Sequence, residues 1–183
     1  QLAVPTVSLW MSEFGSLGEL CAALGDNGAF RQFQELTQAV RKAIEQEQGA
    51  VIHSEGAGLV VAFETNELAL RAAIAAQRAV MALRAEDPFA HLLGLRIRLF
   101  AGPATLVCQD GRLDYFGQTV ATCARLLAEA HSGDILLPAS LIELLSANAG
   151  VKAGPIFSIG GKGLPASVAV TRLAVEQMVE QPV

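Results

Sequence analysis

The chain is poor in charge and in aromatic side chains. Only 17% of its 183 residues are charged and 5% aromatic, although 52% are hydrophobic. Much of the apolar content is alanine, which points to closely packed helices. No uninterrupted apolar run approaches the ~18 residues that a membrane-spanning helix needs; the greasiest segment, residues 68–83, is broken by Arg71, Gln77 and Arg78. No basic region followed by an apolar block opens the chain, so no signal peptide is expected. The thirteen Lys and Arg do not cluster and the formal net charge is −5, which argues against nucleic acid as a partner. Three cysteines, Cys21, Cys108 and Cys123, have no CxxC spacing and make an odd count, so a reducing, cytoplasmic compartment is expected. His53, His91 and His131 lie far apart, and no zinc site is expected from them.

What is present is a regular alternation of short β-rich runs and amphipathic helices. TVSLWM at 6–11 reads as a strand, followed by a short helix in SLGELCAAL. A longer helix then follows, in which Phe30, Phe33, Leu36, Val40 and Ile44 fall at spacings of three and four. Gly49 ends it. AVIHS and LVVAFE flank Glu55-Gly56-Ala57-Gly58 as a tight hairpin. Thr65-Asn66 caps a helix through Leu83. LGLRIRLFAG is the next strand, with ATLVCQ pairing with it or with its neighbour, and then comes the strand RLDYF. A helix in QTVATCARLL, a strand DILLP, a helix SLIELLSA and a last strand VAVTRL complete the chain. The first six major elements run β-α-β-β-α-β, which predicts an α+β, ferredoxin-like core. It is an antiparallel sheet with helices packed on it, extended by C-terminal strands and helices. Nothing reads as a linker or an internal repeat, so residues 1–183 are expected to be a single domain. Because the chain starts at Gln1, it is expected to be an excerpt of something longer. The fold alone names no function.

RIRLFAGPA followed by GRLDYFGQTV resembles the class III adenylate and guanylate cyclase homology domain, in its bacterial branch with a DYFGQTVN-type helix start. SGDILLPASLIELL and GGKGLPASVAVTRL are similar to that family's closing segments, and the resemblance runs from about residue 7 to 173. It implies two domains paired head to tail, with sites across the interface. One subunit presents two aspartates that hold two magnesium or manganese ions on the nucleotide triphosphate, and a lysine and a further polar residue read the base. The other supplies an asparagine and, four residues later, an arginine that stabilise the transition state. A ribose 3′-oxygen attacks the α-phosphorus while metals activate the nucleophile and offset charge.

Carried over residue by residue, most of that machinery is missing. The first aspartate falls on Ser12, or on Glu13 if one residue is deleted. The second falls on Ala57, which cannot ligate a metal. The two base-reading positions hold His53 and Gln118, the asparagine position Ala121, and the arginine position Arg125. Lys162, in Gly160-Gly161-Lys162-Gly163, lies where the family often has a lysine near the triphosphate. Each survivor also has a plain alternative. Arg125 could hold a structural ion pair, Lys162 could be an exposed turn lysine, and His53 a partly buried polar residue. Gln118 and Thr119 could cap their helix, and Glu13 could be a solvated loop residue. Losing metal activation costs several kcal/mol, about tenfold in rate for each 1.36 kcal/mol. The expectation is therefore a pseudoenzyme with no metal cofactor, Glu13 being the one weak ligand candidate and Arg125 and Lys162 the phosphate or anion candidates. As a non-catalytic signalling or dimerisation module it would form a homodimer or pair with another signalling domain. The alternatives are the supporting half of a cyclase heterodimer and a nucleotide- or anion-binding module.

Overall fold

The computed structural model describes residues 4–176 apart from 88, 148–149, 163 and 165. Strand β1 (Thr6–Phe14) leads into helix α1 (Leu17–Gln46), and the β2 (Ala50–Glu55) and β3 (Gly58–Phe63) hairpin follows. Helix α2 (Asn66–Glu86) and strand β4 (Leu95–Pro103) complete the β-α-β-β-α-β core. β1 lies between β3 and β4, antiparallel to both, and β2 is the outer strand beyond β3. Thr65 caps α2 as expected, its Oγ1 accepting from the Leu68 N–H at 3.2 Å. The two helices read before Gly49 are one run through α1, interrupted at Gly25, where φ is 67° and ψ 166°. Glycine enters that region without a Cβ penalty, so two helical segments meet at Gly25, as the two helices read from the sequence.

Beyond β4 come β5 (Thr105–Gln109), β6 (Arg112–Phe116), α3 (Gln118–Leu126), β7 (Ile135–Pro138), β8 (Val151–Ala153), β9 (Phe157–Ile159) and β10 (Val168–Val175). β5 pairs with β6 rather than with β4, and the two form a separate ribbon. β7 joins β4 in parallel, and β10 continues the sheet from β7 to β8 and β9. The segment expected to be the helix SLIELLSA is a 3-10 helix over Ala139–Ala147. The sequence reading also missed β8 and β9, whose three residues each are too short to display a period.

The sheet has two different faces. Trp10 and Phe14 of β1, with Leu59, Val61, Leu95, Ile97 and Leu99, pack into one apolar core with α1 and α2. Val7, Leu9 and Met11 point the other way, onto Cys123 of α3. α3 reaches that face closely because residue 102 is glycine: a Cβ there would lie 2.6 Å from Thr119 Oγ1, which donates to the Pro103 carbonyl at 2.6 Å.

Candidate functional site

Strand alternation decides between the two candidates at the end of β1. Ser12 follows the parity of Trp10 and Phe14, whose side chains lie in the helix-side core, and it is 4% exposed. Glu13 follows Met11 onto the α3 side. There it stands opposite Arg96 of β4, and Arg96 Nη2 donates to Glu13 Oε2 at 2.8 Å. Glu13 therefore enters a cross-strand ion pair rather than a solvated loop.

The β2–β3 turn closes against the same end of β1. Glu13 pairs in register with Gly58, and the Phe14 N–H donates to the Ala57 carbonyl at 3.1 Å. Gly56, with φ 54°, supplies the left-handed turn residue. The chain thus brings together the two positions at which the resemblance expects metal-binding aspartates, but one holds an ion-paired glutamate and the other a methyl group. His53 reaches the neighbourhood through an irregularity in β2. The register steps from Val51↔Val61 to His53↔Val60, leaving Ile52 as an extra residue. Such a bulge re-aims the side chains beyond it.

Met11, Glu13, His53, Gly58, Val60 and Arg98 line a cavity of about 250 Å³ on this face, and Ser12 borders it. A second cavity, about 410 Å³, adjoins it across His53 and is lined by Ile52 of β2 and by Asp110, Arg112, Leu113 and Asp114 of the β5–β6 ribbon. Arg98 is the residue that the sequence reading missed. It stands opposite Met11 in β4 and is 4% exposed. Burial lowers its guanidinium from 12.5 to about 10, so it stays charged at neutral pH. Burial likewise pushes the Cys123 thiol beside it up to about 12, so that thiol stays protonated. The signal for Arg98 was its place in RIRLF: an arginine in the middle of a strand flanked by residues that turn out to be core.

The residues carried on α3 stand apart from this cavity. Thr119, Thr122, Cys123 and Leu126 are buried, which turns Gln118, Ala121 and Arg125 outward at i, i+3 and i+7. Gln118 and Ala121 are exposed. Arg125, with 38% of its side chain exposed, directs Nη1 to Glu129 Oε1 at 3.6 Å. Lys162 is exposed in the turn between β9 and β10. Neither Arg125 nor Lys162 lines the Glu13 cavity. The donor set does not fit two divalent ions. Glu13 is engaged by Arg96, Ala57 offers no side-chain oxygen, and Arg98 adds positive charge. Among the described residues no group of three or more His, Cys, Asp or Glu could hold a metal ion.

The architecture is that of adenylate and guanylate cyclase domains. A cyclase/hydrolase from Silicibacter pomeroyi superposes with a TM-score of 0.73 over 93% of this chain and 96% of that one, at 20% identity. A Trypanosoma brucei adenylate cyclase, solved in its monomeric state, gives 0.74 over 97% and 92%, at 19% identity. The guanylate cyclase domain of RhGC from Catenaria anguillulae, solved with GTP, gives 0.71 over 95% and 98%, at 14% identity. No family model and no curated protein sequence matches the chain. The likeness is one of fold, and nothing in it transfers a site. No helix among the described residues is long and apolar enough to cross a membrane.

Proposed function

We propose that this chain is a catalytically degenerate nucleotide-cyclase domain of the bacterial type. It acts as a non-catalytic signalling or dimerisation module in the cytoplasm. The observation that supports this reading best is the Glu13–Arg96 ion pair standing beside Ala57. A nucleotide triphosphate needs its charge offset and its attacking oxygen activated. Here the one carboxylate in place is already neutralised by a guanidinium, and its counterpart has no side-chain oxygen. On α3, the residue four before Arg125 is alanine, so the second half of the site lacks its neutral donor as well.

The outward stripe of Gln118, Ala121 and Arg125 supports pairing through α3, because these side chains do not line the Glu13 cavity of their own subunit. The partner would be a second copy or another signalling domain. Free Cys21, Cys108 and Cys123 agree with a reducing compartment. Arg125 and Lys162 are the retained anion candidates, with Arg125 already engaged by Glu129. The same outward Arg125 keeps one other role open, the supporting half of a heterodimer whose partner brings both aspartates.

The test is a cyclase assay with ATP and with GTP, each with magnesium and with manganese. The purified chain is assayed alone and mixed with a cyclase crippled in its own arginine. No cyclic nucleotide in any condition is expected. Product from the chain alone, abolished by Arg125→Ala, would overturn the proposal. Product only in the mixture would establish the heterodimer role instead.

A further inference from the structure

Among the described strands only β4 and β7 pair in parallel, and the chain leaves them toward opposite faces of the sheet. Beyond β4 it runs through the β5–β6 ribbon to α3, whose Cys123 and Leu126 share apolar clusters with Phe100. Beyond β7 it enters the 3-10 helix Ala139–Ala147, whose Leu141, Leu144 and Leu145 pack into the core on the α1–α2 side. Neighbouring parallel strands whose connections diverge in this way leave a crevice outside their carboxyl ends, which is where ligands enter open α/β sheets. A cavity of about 450 Å³ stands at that point, lined by Phe100 at the end of β4, Pro138 at the end of β7, and Leu141. Asn66, the first residue of α2, borders it together with Ser140 and Ser167. Ser8 pairs with Ala101 at this end of the sheet, whereas Glu13 pairs with Arg96 at the other. The two ends are roughly 16 Å apart along β1, at about 3.3 Å per residue.

The chemistry of the lining selects the ligand. Among the described residues no ionisable side chain lines this cavity, so an ion entering it would give up water without gaining a counter-charge. Its polar side chains are one amide and two hydroxyls. Ser8 Oγ, on a residue only 5% exposed, donates to Asn66 Oδ1 at 2.7 Å. That bond orients the amide, whose nitrogen carries two N–H donors, while a serine hydroxyl both donates and accepts. We propose that this crevice binds an uncharged, ring-bearing amide. The ring lies against Phe100, the ligand carbonyl accepts from Asn66 Nδ2, and the ligand N–H donates to a serine hydroxyl. The volume falls within the ~300–1,000 Å³ of clefts that enclose small organic ligands. The crevice shares no lining residue with the Glu13 cavity, and neither Arg125 nor Lys162 lines it. It therefore stands independently of the non-catalytic reading.

Benzamide, benzoate and benzamidine are the probes, because they share one shape and are respectively neutral, anionic and cationic at neutral pH. Each is titrated into uniformly nitrogen-15-labelled protein, with the Asn66 side-chain NH2 pair assigned by its loss in Asn66→Asp. Benzamide should saturate on the order of millimolar, moving that NH2 pair and the backbone N–H of Leu141 and Val168. Benzoate and benzamidine should bind at least about tenfold more weakly. Asn66→Asp keeps an acceptor for Ser8 and places a carboxylate in the first turn of α2, which helices favour. It should weaken benzamide about tenfold through the lost donors and make benzamidine the tighter probe, while Arg125→Ala should bind benzamide like wild type. Should Asn66→Asp fail to fold, the wild-type charge series and the set of responding amides decide. The proposal is overturned if benzamide does not saturate, or if benzoate or benzamidine binds wild type equally well. Responding amides confined to other parts of the chain, or unchanged benzamide binding by Asn66→Asp, would also overturn it.

Discussion

The two faces of the central sheet are built to different ends. On the helix side, Trp10, Leu95, Ile97 and Leu99 meet α1 and α2 in an apolar core. On the α3 side, the same strands present Met11 and Leu9 next to a buried arginine, a buried thiol and a cavity. A two-residue repeat assigns alternate residues of one strand to these two environments. In β4 this sets Ile97 and Leu99 against Arg98. The lesson is that stability and chemistry are separated by strand parity rather than by distance along the chain.

The largest effect that probes this contrast is expected from neighbouring residues of β4. Leu99→Ala, on the helix side, should cost about 2–5 kcal/mol in urea unfolding, through lost burial and a residual cavity. Arg98→Met should cost less, within about 1 kcal/mol of wild type, because it removes a buried charge and two unpaired donors while keeping an apolar side chain in the site. Equal losses at both positions would mean that Arg98 is part of the stabilising core, and the contrast would fail.

A smaller effect separates the faces by pH. Folding pushes Cys123 from an ordinary thiol value of 9.0 up to about 12, so the folded state holds this proton more tightly than the unfolded state. The resulting stability is full below pH 9 and is lost as pH rises toward 12. Arg98 acts in the opposite sense but higher, since its value falls from 12.5 to about 10. Stability from that change is gained as pH rises from 10 to 12.5. Between pH 8 and 10 the thiol dominates, and wild type should lose about 1 kcal/mol relative to Cys123→Ala. A difference that stays constant over this range would show that Cys123 is not a buried neutral thiol.

The smallest effect concerns the outward stripe of α3. Arg125 and Glu129 are about two-fifths exposed at 3.6 Å, and exposed pairs contribute little. Arg125→Ala should change unfolding stability by less than about 1 kcal/mol. If α3 mediates pairing, the substitution should instead weaken self-association in sedimentation. A large loss of monomer stability with no change in association would make Arg125 structural.

These contrasts were unevenly legible in the sequence. The β-α-β-β-α-β order followed from local periodicity, and Gly56-Ala57 marked the hairpin, because both depend on neighbouring residues. Glu13 and Arg125 stood out through the motif resemblance. The choice between Ser12 and Glu13 needed strand parity, which only the neighbours Trp10 and Phe14 in the folded core decide. Arg98 stood in a strand, but its burial was not legible, for a stronger reason. Its burial depends on β4 lying between β1 and β7 and on α3 covering that face, contacts made by residues distant in sequence. The β5–β6 ribbon, whose first strand was expected to pair with β4 or its neighbour, is likewise placed by tertiary packing rather than by propensity.

The account rests on the claim that the Glu13 end of the sheet no longer accommodates divalent metal. Titration of manganese into wild type and Glu13→Gln, followed by electron paramagnetic resonance of the free ion, tests it most directly. The account predicts that the two proteins behave alike, with no saturable binding up to about 1 mM. One or two equivalents bound by wild type and lost in Glu13→Gln would contradict it, because Arg96 would then have to release Glu13 to serve as a metal ligand.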